Sequence, residues 1–265
     1  MNRGSGILEP ILILAVIFFI MISAPKASLE QQHLRYGSFT NKETKSQSIS
    51  LDSGNAPYAY QPYEEYVSIS NWSSSPVDIS GWQLKNIKNH IATLPNLVLG
   101  PNERAIIITG RSGVQTPYQI PNIFKENDCT GYLEALPDYT FSPSLQYSCP
   151  NPANELGVER LDRECRDFVN RISTCETPVF DAKDRDKETC TTCVKGTRLS
   201  SACATYVREH FSYKGCLSYH SDDKDFNSSR TWRVFLGRGW EMWSDKYETI
   251  ELLDRFDNLI SNVNY

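Results

Sequence analysis

Two short stretches hold residue types that do chemistry. In "CTTC", Cys190 and Cys193 lie three positions apart. Two thiols at that spacing can act as a redox pair, because a thiolate stabilised by its surroundings attacks disulfides. They can also supply half of a zinc site, or close a local disulfide. The motif lies in "DAKDRDKETCTTCVKGT", a charged loop, whereas redox pairs open a helix in a βαβ setting. In "HSDDKDF", His220 is followed by Asp222, Asp223 and Asp225. An imidazole beside carboxylates can bind metal or move a proton. This cluster lacks the spaced ligands and glycine of an EF-hand loop, and it has the composition of a solvated turn before "TWRVFL". The alternating charges of "DAKDRDKE" (Asp181 to Glu188) also read as a solvated loop. His210 falls on a short amphipathic helix, where packing outweighs reactivity. Trp240 and Trp243 in "RGWEMW" are either an exposed aromatic platform for a glycan or peptide, or core residues near a strand end. No nucleophile elbow, phosphate loop, zincin helix or dinucleotide fingerprint is present. A non-catalytic protein without a cofactor is therefore expected. The alternative is a thiol-disulfide oxidoreductase acting through Cys190 and Cys193, or a metal-assisted hydrolase built around His220.

Eight cysteines occur: Cys129, Cys149, Cys165, Cys175, Cys190, Cys193, Cys203 and Cys216. They point to disulfides in an exported chain. An apolar run at residues 7–24 points the same way. Its uninterrupted core, Ile11 to Ile22, is shorter than the ~20 residues of a membrane span and suits a secretory signal. Ile7 and Leu8 extend it towards an anchor, so residues 1–27 read as a signal peptide or a membrane anchor. Gly4 and Glu9 before the apolar run resemble the leader of type IV prepilins, although Pro10 departs from that pattern. The expected localisation is extracytoplasmic, membrane-anchored or secreted, with membrane contact through residues 7–24 if the leader is retained.

The net charge is −5, and no run of five basic residues occurs, so no nucleic-acid partner is expected. Residues 28–61 are polar and read as a flexible linker. A coil of that length reaches roughly 30 Å. Beyond it, "EYVSISNWSSSPVDISGWQLKN" alternates apolar and polar residues. Glu65, Val67 and Ile69 share one strand face, "NWSSSP" turns the chain, and Val77, Ile79, Trp82 and Leu84 resume the pattern. "LVLGPNERAIIIT" repeats strand, turn and strand. The C-terminal end adds "TWRVFL" and a hairpin, with Ile250 and Leu252 before "DRFDN" and a return strand from Leu259 to Tyr265. Short strands with frequent turns predict a sandwich or barrel.

The middle of the chain differs. "VERLDRECRDFVNRISTC" places Leu161, Cys165, Phe168 and Ile172 at helical spacing, and "SSACATYVREHF" is a second helix with Cys203, Val207 and Phe211 on its apolar face. A serine, Ser200 or Ser201, caps that helix. If one helix runs from Cys165 through Cys175, they lie about 15 Å apart along its axis. A disulfide needs Cα atoms within ~7 Å. Antiparallel helices then allow Cys165 with Cys216 and Cys175 with Cys203, while Cys129 with Cys149 closes a turn-rich loop. The sequons at Asn71 and Asn227 matter only in a host that glycosylates.

The block Asn71 to Trp82, with "LVLGPNERAIIITG" and "MWSDKYETIELLD", resembles the lamin-tail domain. That family is an immunoglobulin-like β-sandwich found in nuclear lamins and exported bacterial proteins. The matching parts cover about a third of the chain. Where the family has Gly in its final turn, this chain has Phe256-Asp257-Asn258. The resemblance implies a mainly β fold, an immunoglobulin-like β-sandwich interrupted by a disulfide-rich helical segment. Residues 62–114 and 230–265 form its two parts, and residues 115–229 form the insertion. It also implies a non-catalytic binding or structural module, with a protein or polysaccharide partner at the cell surface.

Overall fold

The structure, a computed structural model, describes residues 48–111, 120–137 and 139–265. The expected leader and most of the expected linker lie outside the described residues. Among the described residues no helix is long and apolar enough to cross a membrane. The fold is mainly β.

The alternating stretch forms β2 (Tyr66–Asn71), with Val67, Ile69 and Asn71 buried. It pairs antiparallel with β1 (Ile49–Asp52) and with β7 (Arg104–Ile108). β12 (Thr231–Phe235) lies parallel to β7, and β8 (Ile123–Lys125) antiparallel to β12. The five-stranded sheet has the order β1-β2-β7-β12-β8. A second sheet has the order β14-β13-β4-β5, formed by β14 (Leu259–Asn264), β13 (Thr249–Leu253), β4 (Gln83–Lys85) and β5 (Ile91–Thr93), and a short ribbon pairs β3 (Val77–Asp78) with β6 (Val98–Leu99). One hydrophobic core joins both sheets: Val67, Ile69, Ile107 and Val234 meet Leu84, Ile250 and Leu252. The two strand-rich ends of the chain therefore share one core. β1 falls in the expected linker and β8 in the expected insertion, because each extends the five-stranded sheet at an open edge.

Asn71 ends β2 as a structural residue. Its amide donates to the carbonyls of Ser75, Leu99 and Gly100 at 2.9, 3.0 and 3.0 Å. Its Oδ1 accepts from Ser73 N at 2.9 Å. The final turn of the chain is held by Asp254, whose Oδ1 accepts Phe256 N and Asn258 N at 2.8 and 2.9 Å. Asp257 takes a φ of 62° there, a left-handed conformation that Asp tolerates better than most residues.

β7 and β12 are buried on both faces. Their second face, with Ile106, Ile108 and Phe235, packs against Tyr132, Leu133, Phe141 and Tyr213 of the insertion. This places Arg233 in the interior, 2% exposed, opposite Glu126 at 4%. Arg233 Nε donates to Glu126 Oε1 at 2.6 Å, and its two terminal nitrogens donate to Pro143 O and Ser144 O at 2.6 and 2.8 Å. Glu126 Oε2 accepts Gln146 N at 3.3 Å. The buried charges are thus paired and hydrogen-bonded, as burial requires.

The insertion is mixed rather than helical. It contains α1 (Gly131–Glu134), α2 (Arg163–Val169), α3 (Ser201–His210) and α4 (Tyr213–His220), together with a three-stranded sheet, β9 (Phe180–Lys183), β10 (Thr189–Val194) and β11 (Thr197–Arg198). Asp162 caps α2 and Ser200 caps α3, each accepting from the backbone N–H three positions on. Ser212 does the same for α4. The stretch "DAKDRDKE", expected as a solvated loop, is a hairpin in which Asp184 accepts Asp186 N, Glu188 N and Arg198 Nη2.

All eight cysteines are in disulfides: Cys129–Cys216, Cys149–Cys175, Cys165–Cys203 and Cys190–Cys193. They belong to an oxidising, extracytoplasmic environment. Three expected pairings are corrected: Cys165 with Cys216, Cys175 with Cys203, and Cys129 with Cys149. The reason is that α2 ends at Val169. Cys175 lies beyond it at a φ of 64° and turns towards Cys149, while Cys165 packs against Cys203 in a cluster with Val169, Val207 and Phe211.

The Arg233→Met variant leaves Glu126 buried and unpaired. Urea unfolding is expected to show a loss of about 3–5 kcal/mol, and the Arg233→Met/Glu126→Leu double variant recovers most of it.

Candidate functional site

The sequence "NAPYAYQPYEEY" (Asn55 to Tyr66) contains four tyrosines and two prolines. A single 3-10 turn forms at Ala56–Tyr58, and Pro62 is followed by a second turn in which Glu64 N and Glu65 N donate to Gln61 O. Tyr66 enters β2 and packs against the insertion core. Tyr58, Tyr60 and Tyr63 turn outward, 75%, 82% and 41% exposed. They line one wall of a groove of about 1030 Å³. The opposite wall is Tyr139, Phe141 and Pro143 from the insertion. Phe141 is buried and meets the Tyr139 ring edge-on at 4.5 Å between centroids.

Both walls are fixed from behind. Glu64 O accepts Asn55 Nδ2 at 3.2 Å and Ser142 Oγ at 3.1 Å, which ties one wall to the other. Arg233 holds Pro143 and Ser144. Gly110 N donates to Pro62 O at 2.6 Å. A Cβ at Gly110 would lie 2.7 Å from Tyr63 N, so only glycine lets the loop seat there. Exposed tyrosines on a rigid frame offer large contact area at low entropic cost. Sequence reading missed Tyr58 and Tyr60 because they fall at the end of the expected linker, and Tyr63 because it stands just before the first expected strand. The signal that could have found them is the run "PYAYQPY", too aromatic for a flexible tether.

The residues singled out by sequence behave differently. Cys190 and Cys193 are disulfide-bonded in the hairpin and buried, out of reach of an attacking thiolate. His220 Nδ1 lies 2.7 Å from Asp223 Oδ2, and its Nε2 lies 3.1 Å from Glu155 Oε2. Both ring nitrogens are engaged. Asp222 and Asp225 are exposed and make no ion pair with His220. No group of three His, Cys, Asp or Glu residues among the described residues can hold a metal ion. Trp240 and Trp243 do not form a platform, because Trp240 is exposed while Trp243 is in the core. Of the sequons, Asn71 is buried and Asn227 exposed.

Glu155 was not foreseen. It is buried between His210 Nδ1 at 2.9 Å and His220, and it joins the turn after Cys149 to α3 and α4. His210 is packed, as its position on the helix suggested, with its ring stacked on Tyr219 at 3.8 Å and Tyr206 at 4.1 Å. Burial opposes the charge on Glu155, yet the hydrogen bonds from His210 and His220 prevail and hold its pKa below the usual 4.5. Burial likewise opposes the charge on His220, and the bonds to Asp223 and Glu155 prevail, raising its pKa above 6.5.

No protein-family model matches this chain, and a search of curated proteins finds no significant match.

The sign of the pH dependence follows from those two shifts. The Glu155 contribution is present above pH 4.5 and is lost as pH falls through its lowered pKa. The His220 contribution is present below pH 6.5 and is lost as pH rises through its raised pKa. Thermal unfolding from pH 3 to pH 9 should therefore show these contributions together between pH 4.5 and 6.5. In His220→Gln the decline on the alkaline side of that window should shrink.

Proposed function

We propose that this chain is a non-catalytic, extracytoplasmic binding module that engages a protein or polysaccharide partner at the cell surface through the tyrosine groove. Its frame on this reading is an immunoglobulin-like β-sandwich of the lamin-tail type. The core shared by the two sheets supports that frame, as does the pairing of β12 with β7 and of β13 with β4 across the insertion. The turn at Asp254–Asn258 accommodates the missing family glycine through Asp257. The leader at residues 7–24 holds the module at the membrane where it is retained. The observation that carries the proposal is the exposure of Tyr58, Tyr60 and Tyr63 on walls that hydrogen bonds hold rigid. Solvent-facing aromatic clusters of this kind mark interaction sites.

The test is co-sedimentation of the purified full chain with envelope material from its own cell. Wild type is retained, and Tyr58→Ala/Tyr60→Ala weakens retention by about tenfold or more, the loss expected for truncated aromatic anchors. Equal retention of both proteins would overturn the assignment of the groove.

A further inference from the structure

We infer that the groove takes a proline-rich peptide in the polyproline II conformation, with a basic residue of that peptide paired to Glu64. This rests on the reading of the groove as the binding site and names its ligand class. Three features of the lining carry it.

The first is the kind of hydrogen bond on offer. The phenols of Tyr58, Tyr60 and Tyr63 make no hydrogen bond to the described residues, so they are available to a ligand, as donors as well as acceptors. A polyproline II chain has no internal hydrogen bonds, and its carbonyls are free acceptors.

The second is shape. Aromatic walls receive pyrrolidine rings well, and aromatic-lined grooves recognise such peptides because the ligand is already ordered before it binds. This groove matches that rigidity, since Arg233 and Gly110 fix its walls from behind.

The third is charge. Glu64 is the charged side chain among the lining residues. Its Oε2 accepts Tyr60 N at 3.3 Å, and Oε1 takes no hydrogen bond from the described residues. A free carboxylate oxygen at the edge of an aromatic groove favours a cationic flank on the ligand and disfavours an acidic one.

Fluorescence anisotropy of the full chain with a labelled ten-residue peptide tests this. The peptide carries prolines and two terminal arginines. Saturable binding is expected. Tyr60→Ala weakens it about tenfold. Glu64→Gln weakens it about threefold or more and leaves binding of the arginine-free peptide unchanged. Each variant is first shown to melt as wild type does. Absence of saturable binding overturns the inference, and so does binding that neither substitution changes. If the peptide fails while envelope retention still depends on Tyr58 and Tyr60, the ligand is of another class, such as a polysaccharide. That result overturns this inference alone. If retention is also independent of those tyrosines, the groove reading falls with it.

Discussion

The guanidinium of Arg233 is the point at which three parts of the chain meet. It belongs to β12, pairs with Glu126 just after β8, and holds the carbonyls of the loop that walls the groove. An arginine in the interior of a sheet is costly unless every donor is matched. Here the matching partners come from the insertion, so the outer face of the sheet closes correctly only when the insertion docks. The guanidinium thereby adds directional contacts where apolar packing is non-directional.

The insertion also braces itself. The Cys129–Cys216 bridge spans 87 positions and joins its two ends. Cys165–Cys203 ties α2 to α3 beside the Glu155 network. These links act largely on the unfolded chain, whose freedom they cut. A hydrophobic cluster as small as Val169, Ile172, Val207 and Phe211 needs that help.

Much of the frame was legible in the sequence. Alternation at Glu65, Val67 and Ile69, and again at Ile250 and Leu252, marked strand faces that are buried. The serine before α3 announced its start. What escaped has a common cause, because each missed feature depends on contacts between distant segments. "TWRVFL" shows its inward face at Trp232 and Val234, but nothing local says that Arg233 and Phe235 are covered as well. Glu155 is 55 positions before His210 and 65 before His220, and it meets them through the packing of α3 and α4. Disulfide pairing depended on where α2 stops, a boundary that spacing leaves open. The tyrosines near Ala56 were readable as composition, but their setting between prolines and small polar residues gave them the look of a tether.

Asn71 has a consequence outside the folded protein. Its amide nitrogen is spent on three carbonyls, yet Asn71-Trp72-Ser73 is also a sequon. In a eukaryotic secretory line, an oligosaccharide attached to the nascent chain would arrive before β2 could close against its neighbours. A sugar on that nitrogen has no room in the interior. The finished molecule could then not assemble, and the cell's quality control would hold it back. The bar to such a modification is set by a single buried side chain whose role is architectural.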